Sequence, residues 1–283
     1  MEVLIVGAGA MGTWFGEAIA DDPSVDATLA FADVDENAAE RAAETVGGTT
    51  ADLEGTTTYD AVCVAVPMGR VEASIERHAR RAERAVLDVT GVMTTPLEAM
   101  AAYADDLERV SLHPLFAPER APGSIATVRA REGPVTDSLL SALESAGNRL
   151  VETTPEEHDQ AMESVQAAAH AAILSFALAA ERVPEGFQTP IYDDLERLAT
   201  YVTGGSSRVY ADVQRTFDGA DAVAEAARAI ADADGEAFES LYDEAADRWS
   251  GRDRLEDGKT DVQNDGETSV QNDAESANGG DRE

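Results

Sequence analysis

The sequence predicts an α/β protein in which a doubly wound parallel sheet is followed by an all-α domain. A glycine-rich turn joins the first apolar strand to the first helix, and short strands then alternate with helices to about residue 152. From Thr154 onward only helical periodicity remains. The predicted domains are therefore residues 1–152 (α/β), 153–250 (all-α) and 251–283. The last is an acidic, low-complexity tail that we expect to be disordered, because it has few apolar residues to bury.

The glycine-rich turn follows the apolar run Val3–Val6 and precedes a helical pattern at 13–20. In this context G-x-G-x-x-G is the fingerprint of a Rossmann-type dinucleotide-binding domain, and the free N–H groups at the helix N-terminus suit a pyrophosphate. The alternative is a glycine-rich turn without a ligand. The residues predicted to contact the cofactor here are Gly7, Gly9, Ala10, Met11 and Gly12.

The second strand, predicted at 27–32, ends at Asp33. This is the spacing of the acid that binds the adenosine ribose 2′-hydroxyl, and a carboxylate there would repel a 2′-phosphate. NAD is therefore predicted rather than NADP. The alternative is that Asp33 only begins the turn to the next helix, although Asp35 is better placed to cap that helix.

Further strands are predicted at 60–66, 85–89 and 109–112, each followed by residues suited to a site. Ligands of doubly wound sheets bind at the carboxyl ends of the strands. We expect four residues to lie at these ends, on the glycine-loop side: Val66, Pro67, Thr90 and His113. Beside a nucleotide site, a histidine at a strand end favours a proton-accepting role over a purely structural one.

The helical half begins with a capping box at Thr154, and one apolar stripe then continues to Val183. Gln166 and His170 are four residues apart, so we expect them to share a helix face beside that stripe. Further helices are predicted at 190–202, 207–217 and 220–249. Their many alanines favour close helix packing and a homodimer formed through this domain.

The composition limits the partners of the chain. The formal net charge is −35, with 56 acidic and 21 basic residues and one lysine, Lys259. Such a surface repels nucleic acid and anionic membranes, and its even spread indicates a salt-adapted microbe more than an acidic interaction protein. We expect Cys63 to be buried, no metal site and no signal peptide. The apolar run 171–180 is too short to span a bilayer, so the expected location is cytoplasmic.

Several motifs together resemble the prephenate dehydrogenase family, including its arogenate-using members, over about residues 1–250. Besides the glycine fingerprint, these motifs are Ser111–Pro118 (SLHPLFAP), Thr154–Asp159 (TPEEHD), Val165–His170 (VQAAAH) and Val209–Val213 (VYADV). The resemblance implies NAD-dependent oxidative decarboxylation of prephenate to 4-hydroxyphenylpyruvate, a step of tyrosine biosynthesis. It implies that His113 accepts the proton of the ring hydroxyl while hydride leaves the same carbon. Gln166 and His170 would line the substrate cleft.

The chain departs from the family pattern in two places. Gly91 and Met93 stand where the family has a serine and a lysine, which leaves Thr90 as the nearest hydroxyl to support the histidine. Tyr201 stands at the matching position of a substrate-binding arginine, for which three other arginines are candidate replacements: Arg120, Arg197 and Arg208. His158 resembles a helix-packing or first-turn residue rather than a catalyst.

Two alternatives stay open at the level of the sequence. A related dehydrogenase acting on a hydroxy acid would ordinarily use a lysine in the helical domain, and this chain has no lysine before residue 259. A nucleotide-sensing module without catalysis is favoured by the missing serine and arginine, and is opposed by His113 and His170.

Overall fold

The computed structural model describes residues 1–250 and contains one eight-stranded sheet with helices on both faces. The predicted tail, 251–283, lies outside the described residues. The strands are β1 (Glu2–Val6), β2 (Thr28–Ala32), β3 (Thr49–Thr50), β4 (Tyr59–Val64), β5 (Ala82–Val89), β6 (Glu108–Pro114), β7 (Ser124–Arg131) and β8 (Arg149–Glu152). The helices between them are α1 (Ala10–Ala20), α2 (Glu36–Val46), α3 (Val71–His78), α4 (Thr94–Tyr103) and α5 (Pro134–Ser145).

The order of the strands is β3-β2-β1-β4-β5-β6-β7-β8. All neighbouring pairs are parallel except β6 and β7, which are antiparallel. The prediction of an α/β, doubly wound sheet followed by helices is confirmed, and the antiparallel pair is a departure from the all-parallel sheet that was expected. The order reverses direction at β1 and β4, which is where ligands bind in sheets of this type.

The core has two layers because successive side chains of a strand point to opposite faces of the sheet. On β1, Val3 and Ile5 face the apolar layer that also receives α1, α2 and α5. Leu4 and Val6 face the other layer, which contains side chains of α3 and α4. Met162 and Val213, from the later helices, also belong to this second layer. The sheet and these helices therefore share one apolar layer.

After β8 every described element is helical. These elements are α6 (Pro155–Met162), a π-helical stretch (Glu163–Ala168), α7 (Ala169–Ala179), a 3-10 turn (Glu185–Phe187), α8 (Pro190–Thr203), α9 (Ser207–Thr216), α10 (Gly219–Asp232) and α11 (Gly235–Trp249). The helix expected at 220–249 is in fact two helices. Residues Met1–Ala227 form one compact unit, and a second begins at Arg228. The domain boundary predicted at 152/153 falls between β8 and α6 and stays a prediction.

One helical stretch, Pro155–Ala179, is long and apolar enough to cross a membrane by length and composition. It is longer than the run 171–180 considered in the sequence, because α6, the π-helical stretch and α7 are continuous. Its first part contributes buried side chains, His158, Met162 and Ala167, whereas none of the residues of α7 is buried.

Candidate active site

The glycine loop lies where β1 turns into α1, and two of its glycines are required by the loop itself. Gly7 has a φ of +103°, and a Cβ there would collide with the carbonyl oxygen of Ala65. A Cβ on Gly12 would collide with the carbonyl oxygen of Gly7. A Cβ on Gly9 would meet only open space, and no side chain caps the start of α1. The loop thus presents an open backbone and an uncapped helix N-terminus, which fit a pyrophosphate.

Asp33, at the end of β2, is turned toward the glycine loop. Its Oδ2 accepts a hydrogen bond from the N–H of Ala8 at 2.7 Å, and its Oδ1 accepts from the N–H of Asp35 at 2.8 Å. Asp35, not Asp33, caps α2. Asp33 is therefore at the strand end beside the glycine loop, and its role as a ribose contact stays a prediction.

The other predicted site residues lie at or just after the ends of the central strands, at the carboxyl edge of the sheet, as the glycine loop does. Val6, Val64, Asp88 and Ser111 lie level across β1, β4, β5 and β6. His113, two residues beyond this row, therefore lies at the carboxyl edge of the sheet. Val66 and Pro67 follow β4 and are half-buried, and Val66 lies next to Gly7.

His113 is buried and contacts two side chains of the helical half. Its Nδ1 lies 2.8 Å from Nε2 of His158, and the two rings meet edge to face. Its Nε2 lies 3.3 Å from Nε2 of Gln166. Burial, followed by the neighbouring His158, lowers the pKa of His113 to about 3, so the imidazole is neutral at physiological pH.

His158 in turn contacts Asp159, through Nδ1 and Oδ1 at 2.8 Å. The Asp159 carboxylate also accepts hydrogen bonds from the backbone N–H groups of Met93 and Thr94, both at 3.0 Å, at the start of α4. Partial burial acts to raise the pKa of Asp159, but hydrogen bonds from His158, Thr94 and Met93 outweigh it and hold the pKa at about 2. Asp159 is thus an ionised carboxylate at the end of an Asp–His–His chain.

His170 does not contact His113 in this arrangement. Its ring packs edge to face on Tyr210, with 4.7 Å between centroids, and burial lowers its pKa. Its Nδ1 is buried and has no hydrogen-bond partner among the described residues. Gln166 lies in the π-helical stretch, a feature often found at functional sites, and Gln214 accommodates that stretch by donating to the carbonyl of Ala167 at 2.8 Å.

Thr90 is buried, and its hydroxyl is used within its own turn. The hydroxyl contacts Oδ2 of Asp88 at 2.5 Å and the carbonyl of Val92 at 3.1 Å. Burial raises the pKa of Asp88 to about 7, against the opposing effect of the hydrogen bonds from the hydroxyl and backbone N–H of Thr90. A serine side chain would also be crowded at Gly91, the position where the family has serine, because a Cβ there would come within 2.8 Å of the Met68 sulfur.

Arg120 lies on an exposed turn after β6, with its guanidinium 4.4 Å from the centroid of the Tyr201 ring. The structure therefore brings an arginine onto the very residue that replaces the family's arginine. Arg197 instead pairs with Asp194 on α8 at 3.0 Å, and Arg208 is exposed. The loop that carries Arg120 is also held against α1, where Phe116 packs on Trp14 with 5.3 Å between centroids.

His158 and Asp159 were not predicted as parts of the site. The available signal was the E-E-H-D segment in the first turns of a capped helix, which contributed to the family resemblance but in which His158 was interpreted as a packing or first-turn residue. Within residues 1–250, no group of three or more histidine, cysteine or acidic side chains is arranged to hold a metal ion.

Comparisons with known proteins agree with this architecture. Residues 23–130 match the family model for the nucleotide-binding domain of prephenate dehydrogenase. The 4-amino-4-deoxyprephenate dehydrogenase of Streptomyces pristinaespiralis is 28% identical over 203 residues, which are 65% of this chain and 69% of that protein.

Solved structures share the fold over most of the chain. Prephenate dehydrogenase from A. aeolicus, in complex with hydroxyphenyl propionate and NAD+, has a TM-score of 0.67 at 14% identity and covers 92% of this chain and 98% of its own. Arogenate dehydrogenase from Synechocystis has a TM-score of 0.57 at 18% identity, with coverage of 90% and 100%. The resemblance found in the sequence is thereby confirmed: residues 23–130 match the nucleotide-binding domain of prephenate dehydrogenase, and the chain is similar to a dehydrogenase that acts on a prephenate analogue.

Proposed function

We propose that this protein catalyses the NAD-dependent oxidative decarboxylation of prephenate to 4-hydroxyphenylpyruvate, as a step of tyrosine biosynthesis. The observation that carries the proposal is the environment of His113. This histidine lies at the carboxyl edge of the sheet, on the same edge as the glycine loop, and its Nε2 faces Gln166 of the helical half. A neutral imidazole in this position is suited to act as a general base.

The predicted enzyme class, a dehydrogenase, and the predicted cofactor, NAD, agree with the family model and the curated relative that the chain matches. The residues proposed to hold NAD are those of the glycine loop together with Asp33, Val66 and Pro67. The open backbone at Gly9 and the uncapped start of α1 fit the pyrophosphate, and the Asp33 carboxylate fits a ribose hydroxyl. When bound, NAD supplies the hydride acceptor.

His113 and its neighbour Gln166 have separate proposed roles in the reaction. The Nε2 lone pair of His113 takes the proton of the substrate's ring hydroxyl as hydride leaves the same carbon. Loss of carbon dioxide then makes the ring aromatic. Gln166 is within hydrogen-bond reach of the same nitrogen, so it is placed to orient the hydroxyl.

The substrate carboxylates require cations or donors from the helical side. We propose that Arg120, held by Tyr201, binds a carboxylate in place of the family's arginine. His170, whose buried Nδ1 has no partner within the described residues, is proposed to donate to the substrate. Thr90 is left out of these contacts because its hydroxyl is already bonded to Asp88.

A second substrate is favoured by the curated relative, which acts on 4-amino-4-deoxyprephenate. In that molecule an amino group replaces the ring hydroxyl, so the same histidine would face an amine. Arogenate, used by the Synechocystis neighbour, is the third member of this substrate class.

A substrate panel tests the proposal. Purified protein in molar salt is given prephenate, arogenate or 4-amino-4-deoxyprephenate with NAD or NADP, and formation of the reduced cofactor is followed by absorbance. We expect turnover with prephenate and NAD to exceed that of the other pairs by at least about tenfold in kcat/KM. NAD binding without turnover of any of the three would instead establish a nucleotide-sensing module.

We also propose a homodimer formed through the helical half. Helix α7 is apolar, yet none of its residues is buried, and Leu178 is 88% exposed. An exposed apolar surface of this kind marks an interaction site. A membrane is less suitable because α7 has only 11 residues, whereas a span needs about 20, and the preceding part of the stretch is bonded to the sheet through His158 and Asp159.

Sedimentation analysis tests this assembly. We expect the wild-type protein to be a dimer and Leu178→Asp to be a monomer that retains its secondary structure; a wild-type monomer would refute it. A cytoplasmic location belongs to the same proposal, as the site of an NAD-dependent biosynthetic step.

A further inference from the structure

We infer that His158 and Asp159 are positioning residues that fix the tautomer of His113, so that Nε2 rather than Nδ1 of His113 carries the basic lone pair. The inference deepens the proposed function, because it concerns how the proposed base is prepared. It stands on three contacts: His113 of β6 with His158 of α6, His158 with Asp159 within α6, and Asp159 with the start of α4.

The direction of each hydrogen bond in the chain follows from the hydrogen bonds that Asp159 accepts. The Asp159 carboxylate already accepts two backbone N–H groups, from Met93 and Thr94, and an ionised carboxylate can only accept. His158 must therefore present N–H at Nδ1 to the Asp159 oxygen 2.8 Å away. In the neutral ring this leaves a lone pair on Nε2 of His158.

The contact between His158 and His113 then determines the tautomer of His113. Nε2 of His158 lies 2.8 Å from Nδ1 of His113, so Nδ1 of His113 must carry the hydrogen. The lone pair of His113 is consequently on Nε2, the nitrogen that faces the Gln166 amide at 3.3 Å. The opposite direction would require either a protonated Asp159, against the donors that stabilise its charge, or a His158 imidazolium that donates from both nitrogens, which the NMR measurement below distinguishes.

The same chain stabilises the product of proton transfer. When Nε2 of His113 accepts a proton, the positive charge is connected through His158 to the Asp159 carboxylate. This arrangement corresponds in its roles to the aspartate of a Ser-His-Asp triad, which holds the histidine tautomer and stabilises the imidazolium. It also supplies support for His113 that the chain lacks at Gly91, where the Met68 sulfur occupies the space.

Asp159→Asn is the sharpest perturbation. Asparagine has one accepting oxygen, so its amide must face either His158 or the N–H of Thr94, and the first orientation reverses both histidine tautomers. We expect kcat to fall by roughly 10²–10⁴-fold, the range of a lost general base. The matched control is Glu108→Gln, because Glu108 likewise accepts from two backbone N–H groups at the start of a helix, those of Val135 and Thr136, at the opposite end of β6. It should destabilise the fold without changing the pH profile of kcat.

Two variants at His158 test whether a conservative replacement preserves kcat. His158→Gln keeps an acceptor for His113 and a donor for Asp159, so kcat should stay within about tenfold of wild type, whereas His158→Leu should match Asp159→Asn. Nitrogen-15 NMR of labelled histidine, with His113 assigned by substitution, reads the tautomer without substrate. We expect a protonated Nδ1 and an unprotonated Nε2 in wild type, and a loss of that preference in Asp159→Asn.

The outcomes separate this inference from the proposed function. If the tautomer is as inferred and no substrate of the panel is turned over, the proposed function fails and the inference stands. If the wild-type enzyme is active but Asp159→Asn behaves like Glu108→Gln, or NMR shows hydrogen on Nε2 of His113, the inference is overturned.

Discussion

Replacement of Arg120 tests how this chain binds a substrate carboxylate without the family's usual arginine. Arg120→Met removes the guanidinium and retains an unbranched side chain of related length. A hydrogen bond to a charged group contributes about 1.5–3 kcal/mol, which corresponds to a rise in KM of about 10- to 150-fold at 1.4 kcal/mol per tenfold change. The value of kcat should change by less than about threefold, because Arg120 takes no part in the proposed proton transfer.

The contact between Arg120 and the Tyr201 ring should have a smaller effect on KM. The guanidinium lies 4.4 Å from the ring centroid, and an exposed cation–π pair is worth about 0.5–1 kcal/mol. Tyr201→Leu should therefore raise KM about two- to fivefold by loosening Arg120. In the Arg120→Met background the same change should have no further effect, so the double-mutant cycle gives a coupling energy of about 0.5–1 kcal/mol.

Steady-state kinetics with prephenate and NAD measures all four proteins, with melting temperature as a check on folding. Arg197→Met is the matched control, because Arg197 is an exposed arginine on α8 that pairs with Asp194, and its KM should equal that of wild type. An Arg120→Met enzyme with KM within twofold of wild type would refute the assignment. Equal effects of Tyr201→Leu in both backgrounds would refute the role of the ring.

The remaining predictions concern the cofactor, pH and salt. Asp33→Asn removes the charge but keeps an acceptor for the N–H of Ala8, so the ratio of kcat/KM for NAD over NADP should narrow; a wild-type preference for NADP would contradict the role of Asp33. The pKa of Asp88 is raised from 3.8 to about 7, so the folded state binds the extra proton and loses stability as pH rises from about 4 to 7. Urea unfolding should show Asp88→Asn gaining stability relative to wild type between pH 5 and pH 8, by at most about 3 kcal/mol; an equal difference at both pH values would contradict this. Finally, with a net charge of −35, the melting temperature should rise from dilute buffer to molar salt because salt screens the repulsion between carboxylates, and a flat or falling curve would remove the halophile interpretation.

The nucleotide-binding half was predictable because its signals are local. Apolar runs bounded by glycine or proline marked the strands, and the position of Gly7–Gly12 between a strand and a helix determined the loop. The antiparallel β7 was missed, although its connection carried a usable signal. Only residues 115–123, which include the short turn Pro118–Arg120, separate β6 from β7, and parallel neighbours need a longer crossover, usually a helix.

The hydrogen-bond chain of the site was not predictable from spacing. His113 and His158 are 45 residues apart, and their contact depends on how α6 crosses the end of the sheet, which no local pattern specifies. Thr90 as a substrate contact stays a prediction, because the sequence does not show that Asp88 is fully buried and bonded to the threonine hydroxyl. The π-helical stretch that carries Gln166 was likewise hidden within a continuous apolar stripe.

The central claim is that His113 is the general base. The most direct test is to measure kcat of a His113→Ala protein with prephenate and NAD as substrates. Circular dichroism on the same sample reports folding, and NAD binding reports the integrity of the nucleotide site. The account predicts a folded protein that binds NAD as wild type does, with kcat lowered by roughly 10²–10⁴-fold. Full turnover in folded His113→Ala would contradict the account.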